Sequence, residues 1–287
     1  MKKNAEIYAK FTSHDIQMKA FFKRIVPSSL KPFFKNLYYQ WVIRNSKTGL
    51  IPPSEFVFIG GGDFEKIGQE YMQYFKQLCD IQPNYKILDV GCGMGRMAVP
   101  LTTFLNSDGS YDGFDIVKLG IDWCQHKYTP YPNFHFQLAD IYNKHYNPKG
   151  TYKADEYKFP YASNTFDFVF LTSVFTHMLP KDLENYLSEI TRVMKDGGKC
   201  LITFFIVNEE STAGINAQKS IFSLKYDYGF YRVEVKEDPE AVIGYQEAFV
   251  RELYKKYGLT IQEPIRYGLW SGRSNYFTYQ DIIIAQK

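Results

Sequence analysis

The segment ILDVGCGMGRM, residues 87–97, runs from apolar residues into an acid, Asp89, and then sets Gly91, Gly93 and Gly95 at alternate positions. Glycine lets backbone approach a ligand with no Cβ in the way. The spacing narrows what that ligand is. A dinucleotide-binding turn needs glycine at its third fingerprint position, where this chain has Arg96, and a phosphate-cradling P-loop needs Lys followed by Ser or Thr. A nucleoside-like ligand without a pyrophosphate remains. Asp115, twenty residues past Gly95, ends the next apolar run, where a carboxylate can accept hydrogen bonds from both ribose hydroxyls. Its rival role, capping a helix, fits poorly with Ile116 and Val117 after it. Asp140, in LADIY, ends a third run. It either meets the amino group of an adenine, with Ile141 against the ring, or caps the turn that follows.

These residues need a scaffold that gathers several strand ends at one edge. From Lys86 onward the chain supplies it by alternation. YKILDV, SYDGFDI, NFHFQLAD, FDFVFLT and KCLITFFIV read as five strands, with helices at RMAVPLTTFL, KLGIDWCQHK and KDLENYLSEITRVMK. QEAFVRELYKKYG is a late helix, TIQEPIRYGLW strand six and YQDIIIAQ strand seven. Such alternation demands right-handed crossovers and a mostly parallel sheet covered on both faces. Upstream, after Gly60, Gly61 and Gly62, Asp63 is placed to cap the helix FEKIGQEYMQYFKQLC.

Before the break at Pro52 and Pro53 lies a basic arm, residues 1–53, with the main domain at 54–287. Residues 1–48 hold ten Lys or Arg against two acids, while the remainder of the chain holds 24 against 29. In the arm Leu30, Phe33, Phe34, Leu37, Tyr38 and Trp41 recur at helical spacing behind Ser28 or Ser29, and Met18, Phe21, Phe22, Ile25 and Val26 form a shorter stripe. The arm either packs on the main domain and covers its site, or rests on anionic lipid.

In their order, ILDVGCGMGR, DGFDI, LADIY, FDFVFLTSVFTHM and RVMKDGGKCLITFF resemble the motif set of class I S-adenosylmethionine-dependent methyltransferases, over residues 63–207. More narrowly the chain is similar to bacterial type 11 methyltransferases, often associated with natural-product or cell-surface glycan modification. The resemblance implies an α/β fold: a seven-stranded, mostly parallel, doubly wound sheet in which strand seven runs antiparallel between strands five and six. It implies S-adenosyl-L-methionine as cofactor. Asp89, Gly91, Cys92, Gly93 and Gly95 would hold its methionine end, Asp115 and Ile116 the ribose, and Asp140 and Ile141 the adenine, with Thr172 beside them. Gly68 and Tyr71 would border the methionine end from the preceding helix. Segments 142–157 and 208–245 depart from the minimal pattern, as insertions on the acceptor side.

Ligands of open α/β sheets bind beyond the carboxyl ends of the strands. The acceptor candidates are therefore His177 after strand four, Tyr228 in the second insertion, and Trp270 and Arg273 at the last hairpin. Trp270 can stack on a ring and Arg273 can pair with an anion, or both simply pack the hairpin. His177 is either a general base for an acceptor hydroxyl or a fastener for the loop before Pro180. In-line methyl transfer needs alignment and no metal. The expected reaction is O-methylation of a small molecule, natural product or glycan. The rival is a nucleic-acid-binding protein or RNA methyltransferase built on the basic arm. The aromatics of the arm fall on one apolar face and not among its charges, so no nucleic acid is expected.

Composition agrees with an ordinary globular enzyme: 45% apolar, 23% charged and an unusual 18% aromatic. Cys79, Cys92, Cys124 and Cys200 lie far apart, without the spacing of a zinc site or a disulfide framework. Reduced thiols, no signal-peptide pattern and no long apolar run together predict a cytoplasmic protein, peripheral on the inner membrane surface if the arm meets lipid.

Overall fold

A computed structural model describes residues 31–58 and 60–287. The chain divides into two compact units, Met1–Lys47 and Thr48–Lys287. The second unit therefore begins before Pro52 and Pro53, where the sequence placed the break. In the first unit α1 spans Lys31–Asn45. The predicted stripe Met18–Val26, the capping serines and Leu30 lie outside the described residues. No helix among the described residues is long and apolar enough to cross a membrane.

The second unit opens with α2 (Phe64–Cys79), and the Asp63 side chain accepts from Lys66 N–H at 2.8 Å, as a cap should. Phe64, Gly68, Tyr71, Met72, Phe75 and Cys79 form its buried face. The central sheet follows: β1 (Lys86–Val90), β2 (Ser110–Asp115), β3 (Phe134–Leu138), β4 (Phe166–Leu171), β5 (Met194–Phe204), β10 (Thr260–Ile261) and β11 (Asp281–Gln286). Their order is β10-β11-β5-β4-β1-β2-β3. β1 pairs in parallel with β2 and β4, and β11 runs antiparallel to both β5 and β10. The expected position of the reversed strand is thus observed. Between the strands lie α3 (Ala98–Leu101), α4 (Lys118–Lys127), α5 (Pro180–Val193), α6 (Glu209–Asn216) and α7 (Glu247–Lys256). β4, FDFVFL, is buried almost throughout, as a strand covered on both faces must be.

Three expectations change. The helix expected at 96–105 shrinks to α3, because the glycine turn continues to Met97 and Pro100 sits in the only helical turn. Strand six shrinks to Thr260–Ile261 plus a bridge from Arg266 to Ile282, since Pro264 has no N–H for the ladder; Leu269–Ser271 is a 3-10 turn. The end of strand five leaves the main sheet. β6 (Ile206–Val207), β7 (Tyr226–Asp227), β8 (Tyr231–Val233) and β9 (Ile243–Gln246) make a second sheet, ordered β6-β9-β8-β7, from what the sequence showed only as an insertion.

Candidate active site

A cavity of about 900 Å³ opens at the carboxyl ends of β1, β2 and β4. Its first half is built on the glycine turn. Gly91, Gly93 and Gly95 have φ of 83°, 57° and 76°, a region other residues rarely adopt. A Cβ at Gly91 would stand 2.4 Å from Val174 Cγ2, so only glycine leaves the cavity wall open there. The turn also positions the neighbouring acid. Gly93 N–H donates to Asp115 Oδ2 and Val117 N–H to Oδ1, both at 2.8 Å, which fixes the carboxylate plane at the end of β2. Burial pushes the Asp115 carboxyl above its usual range despite these two bonds.

Asp89 is almost fully enclosed, and burial pushes its carboxyl up to about 8, against a hydrogen bond from Tyr111 Oη to Oδ2 at 2.7 Å. Its Oδ1 has no hydrogen-bond partner within the protein, although the residue lines the cavity. Arg96 lines the same end, its guanidinium over the Phe64 ring at 5.4 Å. The sequence used Arg96 only to exclude a dinucleotide turn; a cation directly after the third glycine was the available signal. Cys92, Ile116, Ile141, Thr172 and Tyr71 also line the cavity.

The second half lies beyond β4 and under the second sheet. His177 lines it, with Nδ1 at 3.0 Å from the Glu240 carbonyl oxygen. A carbonyl can only accept, so Nδ1 carries a proton in this contact, and in the neutral imidazole the lone pair then falls on Nε2. Ser173, in left-handed backbone at φ 58°, is held by its N–H to Thr203 Oγ1 at 2.8 Å and by its hydroxyl to Gln280 Oε1 at 3.0 Å. Phe205, Phe222, Val242, Met178 and Leu179 give this half an apolar wall. Asp182 adds a carboxyl that burial pushes up to about 6, and Glu240 one that burial also raises. Nothing local in the sequence marked these two acids, because helix α5 and the second sheet bring them together.

Several predicted site residues stand elsewhere. Trp270 is fully buried among Phe205, Val207 and Leu224, and its indole N–H donates to Asp281 Oδ2 at 2.7 Å. Arg273 pairs with Glu210, donates to Asn208 Oδ1 at 2.8 Å and stacks over Tyr267. Neither reaches the cavity, so both belong to the packing of the hairpin and not to an acceptor. Tyr228 stacks on Tyr231 at 5.0 Å, outside the cavity wall. Asp140 is exposed, and its backbone carbonyl receives Thr151 and Tyr152 N–H; only its neighbour Ile141 lines the cavity. A Cβ at Gly68 would come 2.6 Å from the Arg96 carbonyl oxygen, so this glycine seats α2 on the turn instead of bordering a ligand. Gly93 and Gly95 shape the turn from behind the wall.

The methyltransferase-domain family profile matches residues 88–202, which span β1 to β5 and carry the glycine turn, Asp115 and His177. Residues 88–202 thus carry a methyltransferase domain, in a sheet of the class I methyltransferase order. The chain is 25% identical over 211 residues to the sterol 24-C-methyltransferase of Schizosaccharomyces pombe, covering 72% of this chain and 48% of that protein. It is 30% identical over 129 residues to the demethylmenaquinone methyltransferase of Bacillus mycoides, covering 44% and 48%. The chain thus spans about half the length of these curated relatives. A crystal structure of a Pyrococcus horikoshii OT3 protein shares the fold, with a TM-score of 0.53 at 17% identity over 80% of this chain and 94% of that one.

The cofactor of class I methyltransferase domains is S-adenosylmethionine, and two features of the cavity fit it. Asp89 Oδ1 is a buried acceptor with nothing to accept, as the cationic methionine end requires. Gly91 keeps open a cradle that any side chain would fill.

Proposed function

We propose that this methyltransferase moves the methyl group of S-adenosylmethionine onto a hydroxyl of a small, largely apolar molecule, a natural product or a glycan. The observation that carries the reading is His177. Its Nδ1–H is committed to the Glu240 carbonyl, which leaves Nε2 as a proton acceptor on the wall of the acceptor half. Asp115 would accept the ribose hydroxyls, Ile116 and Ile141 would flank the adenine, and Asp89, Cys92, Tyr71 and Thr172 would surround the methionine end. Arg96 would hold its carboxylate.

The cofactor supplies a methyl carbon already activated by a sulfonium. The chain's tasks are to align the acceptor oxygen behind that carbon, to exclude water and to take the proton. As the O–C bond forms and the C–S bond breaks, the hydroxyl proton passes to His177 Nε2 and the bonding pair stays on sulfur. Alignment supplies on the order of 7 to 11 kcal/mol in the best intramolecular models. The apolar wall of Phe205, Phe222 and Val242 supports an acceptor with a substantial apolar face. The relatives named for a sterol and for demethylmenaquinone support the same choice. Exposed rings of Tyr142, Tyr146 and Tyr279 at the rim also suit a sugar face.

The test is incubation of the purified protein with ¹³C-methyl cofactor and fractionated extract, followed by NMR of the labelled product. A methyl on oxygen is expected. Label on carbon or nitrogen overturns the hydroxyl assignment, and label in RNA overturns the acceptor class.

A further inference from the structure

YDGFD, residues 111–115, sets Tyr111, Gly113 and Asp115 on one face of β2, because alternate residues of a strand share a face. Asp115 has a place in the proposed site. Tyr111 has none, although it is fully buried. In the sheet register Gly113 stands beside Asp89 of β1, and Tyr111 beside Ile87. To meet the acid, the Tyr111 ring must therefore run along its own strand and across Gly113. Its Oη donates to Asp89 Oδ2 at 2.7 Å. A Cβ at Gly113 would stand 3.0 Å from that hydroxyl oxygen and 2.9 Å from Cys92 Cβ, so the missing side chain is the gap through which the phenol passes.

Other rings hold the phenol in place. Tyr111 stacks on Phe134 with centroids 5.3 Å apart and lies tilted against Phe136 at 5.3 Å. Burial pushes its hydroxyl well above the usual phenol range, so it stays a donor at any working pH. With Oδ2 committed, the carboxyl group is fixed in rotation. Oδ1, which has no partner among the described residues, is then the oxygen left for a ligand of the cavity. The other titratable groups facing Asp89 are Asp115, Cys92, Cys124, Tyr128 and Tyr161. None is a cation, so the Tyr111 O–H is the group that favours negative charge there.

We propose that Tyr111 is a positioning residue for the cofactor: reaching across Gly113, it holds Asp89 so that Oδ1 takes the α-amino group of S-adenosylmethionine. The proposal rests on the reading that puts Asp89 at the methionine end, and not on the identity of the acceptor.

Tyr111→Phe keeps the ring and removes only the hydroxyl. The Asp89 carboxyl then rises further, and S-adenosylhomocysteine should bind roughly ten- to a hundredfold more weakly at pH 7, as expected for loss of a hydrogen bond to a charged group. Methylthioadenosine, which lacks the amino acid, should bind as it does to the wild type. A pH profile separates positioning from packing. Binding of S-adenosylhomocysteine is tightest midway between the pKa of Asp89, about 8, and that of an α-amino group, about 7.7 to 8.0. In Tyr111→Phe that maximum should move up by roughly half to one pH unit. Tyr128→Phe removes a neighbouring hydroxyl that donates to the Gly95 carbonyl at 3.1 Å, and should leave the maximum where it is. In an Asp89→Asn background, Tyr111→Phe should weaken binding little further.

If Asp89→Asn binds S-adenosylhomocysteine weakly and Tyr111→Phe binds it as the wild type does, Asp89 keeps its place and the proposal for Tyr111 is overturned. Equal losses for methylthioadenosine, or an equal shift of the maximum in Tyr128→Phe, overturn it too and return the phenol to packing of the turn. If Asp89→Asn itself binds as the wild type does, the placement of the methionine end falls, and this proposal with it.

Discussion

At the scale of single residues, Asp89 makes cofactor binding depend on pH. Burial holds its carboxyl at about 8, so at neutral pH it is mostly protonated, and a cation placed at Oδ1 favours the carboxylate. Binding must then release a proton. Affinity for S-adenosylhomocysteine should rise roughly tenfold per pH unit from about 6 to 7.5, where an α-amino group of pKa about 7.7 to 8.0 is still largely charged. Calorimetry in buffers of different ionisation enthalpy should count close to one proton released, and Asp89→Asn should remove both effects; a flat profile refutes the assignment. Arg96 is tested at the same end. Arg96→Met should weaken S-adenosylhomocysteine by roughly ten- to a hundredfold, the worth of a hydrogen bond to a charged group, and leave methylthioadenosine, which lacks the amino-acid carboxylate, unchanged. Equal losses for both ligands would mean that Arg96 only supports the turn. His177→Ala should lower turnover by roughly 10² to 10⁴ while cofactor affinity and Tm hold. If turnover persists, or falls together with Tm, the bond to Glu240 is a fastener and nothing more.

At the scale of elements, one carboxylate joins the two sheets. Asp281 opens β11 and accepts Gly268 N–H at 2.6 Å, Ile206 N–H at 2.5 Å and the Trp270 indole N–H at 2.7 Å. Asp281→Ala leaves these three donors unpaired in a buried place, at about 1 to 3 kcal/mol each. Denaturant titration should show a loss of several kcal/mol, and a variant as stable as the wild type would deny the hub. Trp270→Ala should likewise lower stability and leave the acceptor's KM alone. These elements also show what a sequence can and cannot carry. The glycine turn, the Asp63 cap and α4 at Lys118–Lys127 were legible because each is set by local chemistry or by a period of its own, whereas the reversal of β11 was expected from the family resemblance alone. Trp270 and Arg273 were misplaced because their role depends on Asp281, Glu210 and Asn208, partners distant in sequence or on other elements. The second sheet was illegible for a related reason: β6 and β7 have two residues each and are paired by tertiary contacts, not by a period of their own. The acceptor half inherits that illegibility, since Glu240 and Val242 enter it only through this sheet and its adjoining turn.

At the scale of the whole catalytic unit, the two insertions form one roof. Tyr142, Asn143 and Tyr146 line the cavity from the first, and Glu240 and Val242 from the second. Between them His145 Nε2 lies 2.8 Å from Asp238 Oδ1, with Lys144 Nζ at 3.6 Å, and the His145 contact holds the Asp238 carboxyl below its usual range. An exposed pair of this kind adds little to global stability. It can still decide how long two surface segments stay together, and a cofactor of this size cannot leave the cavity without passing some part of its rim. Asp238→Ala should therefore leave Tm unchanged and speed dissociation of S-adenosylhomocysteine, by roughly three- to tenfold, with little change in the association rate, as interface contacts act mainly on the off-rate. Stopped-flow displacement measures both rates. Asp238→Asn, which can still bond His145, should fall between the wild type and Asp238→Ala. If all three proteins release the ligand at one rate, the insertions roof the cavity separately and the contact between them plays no part in holding the cofactor.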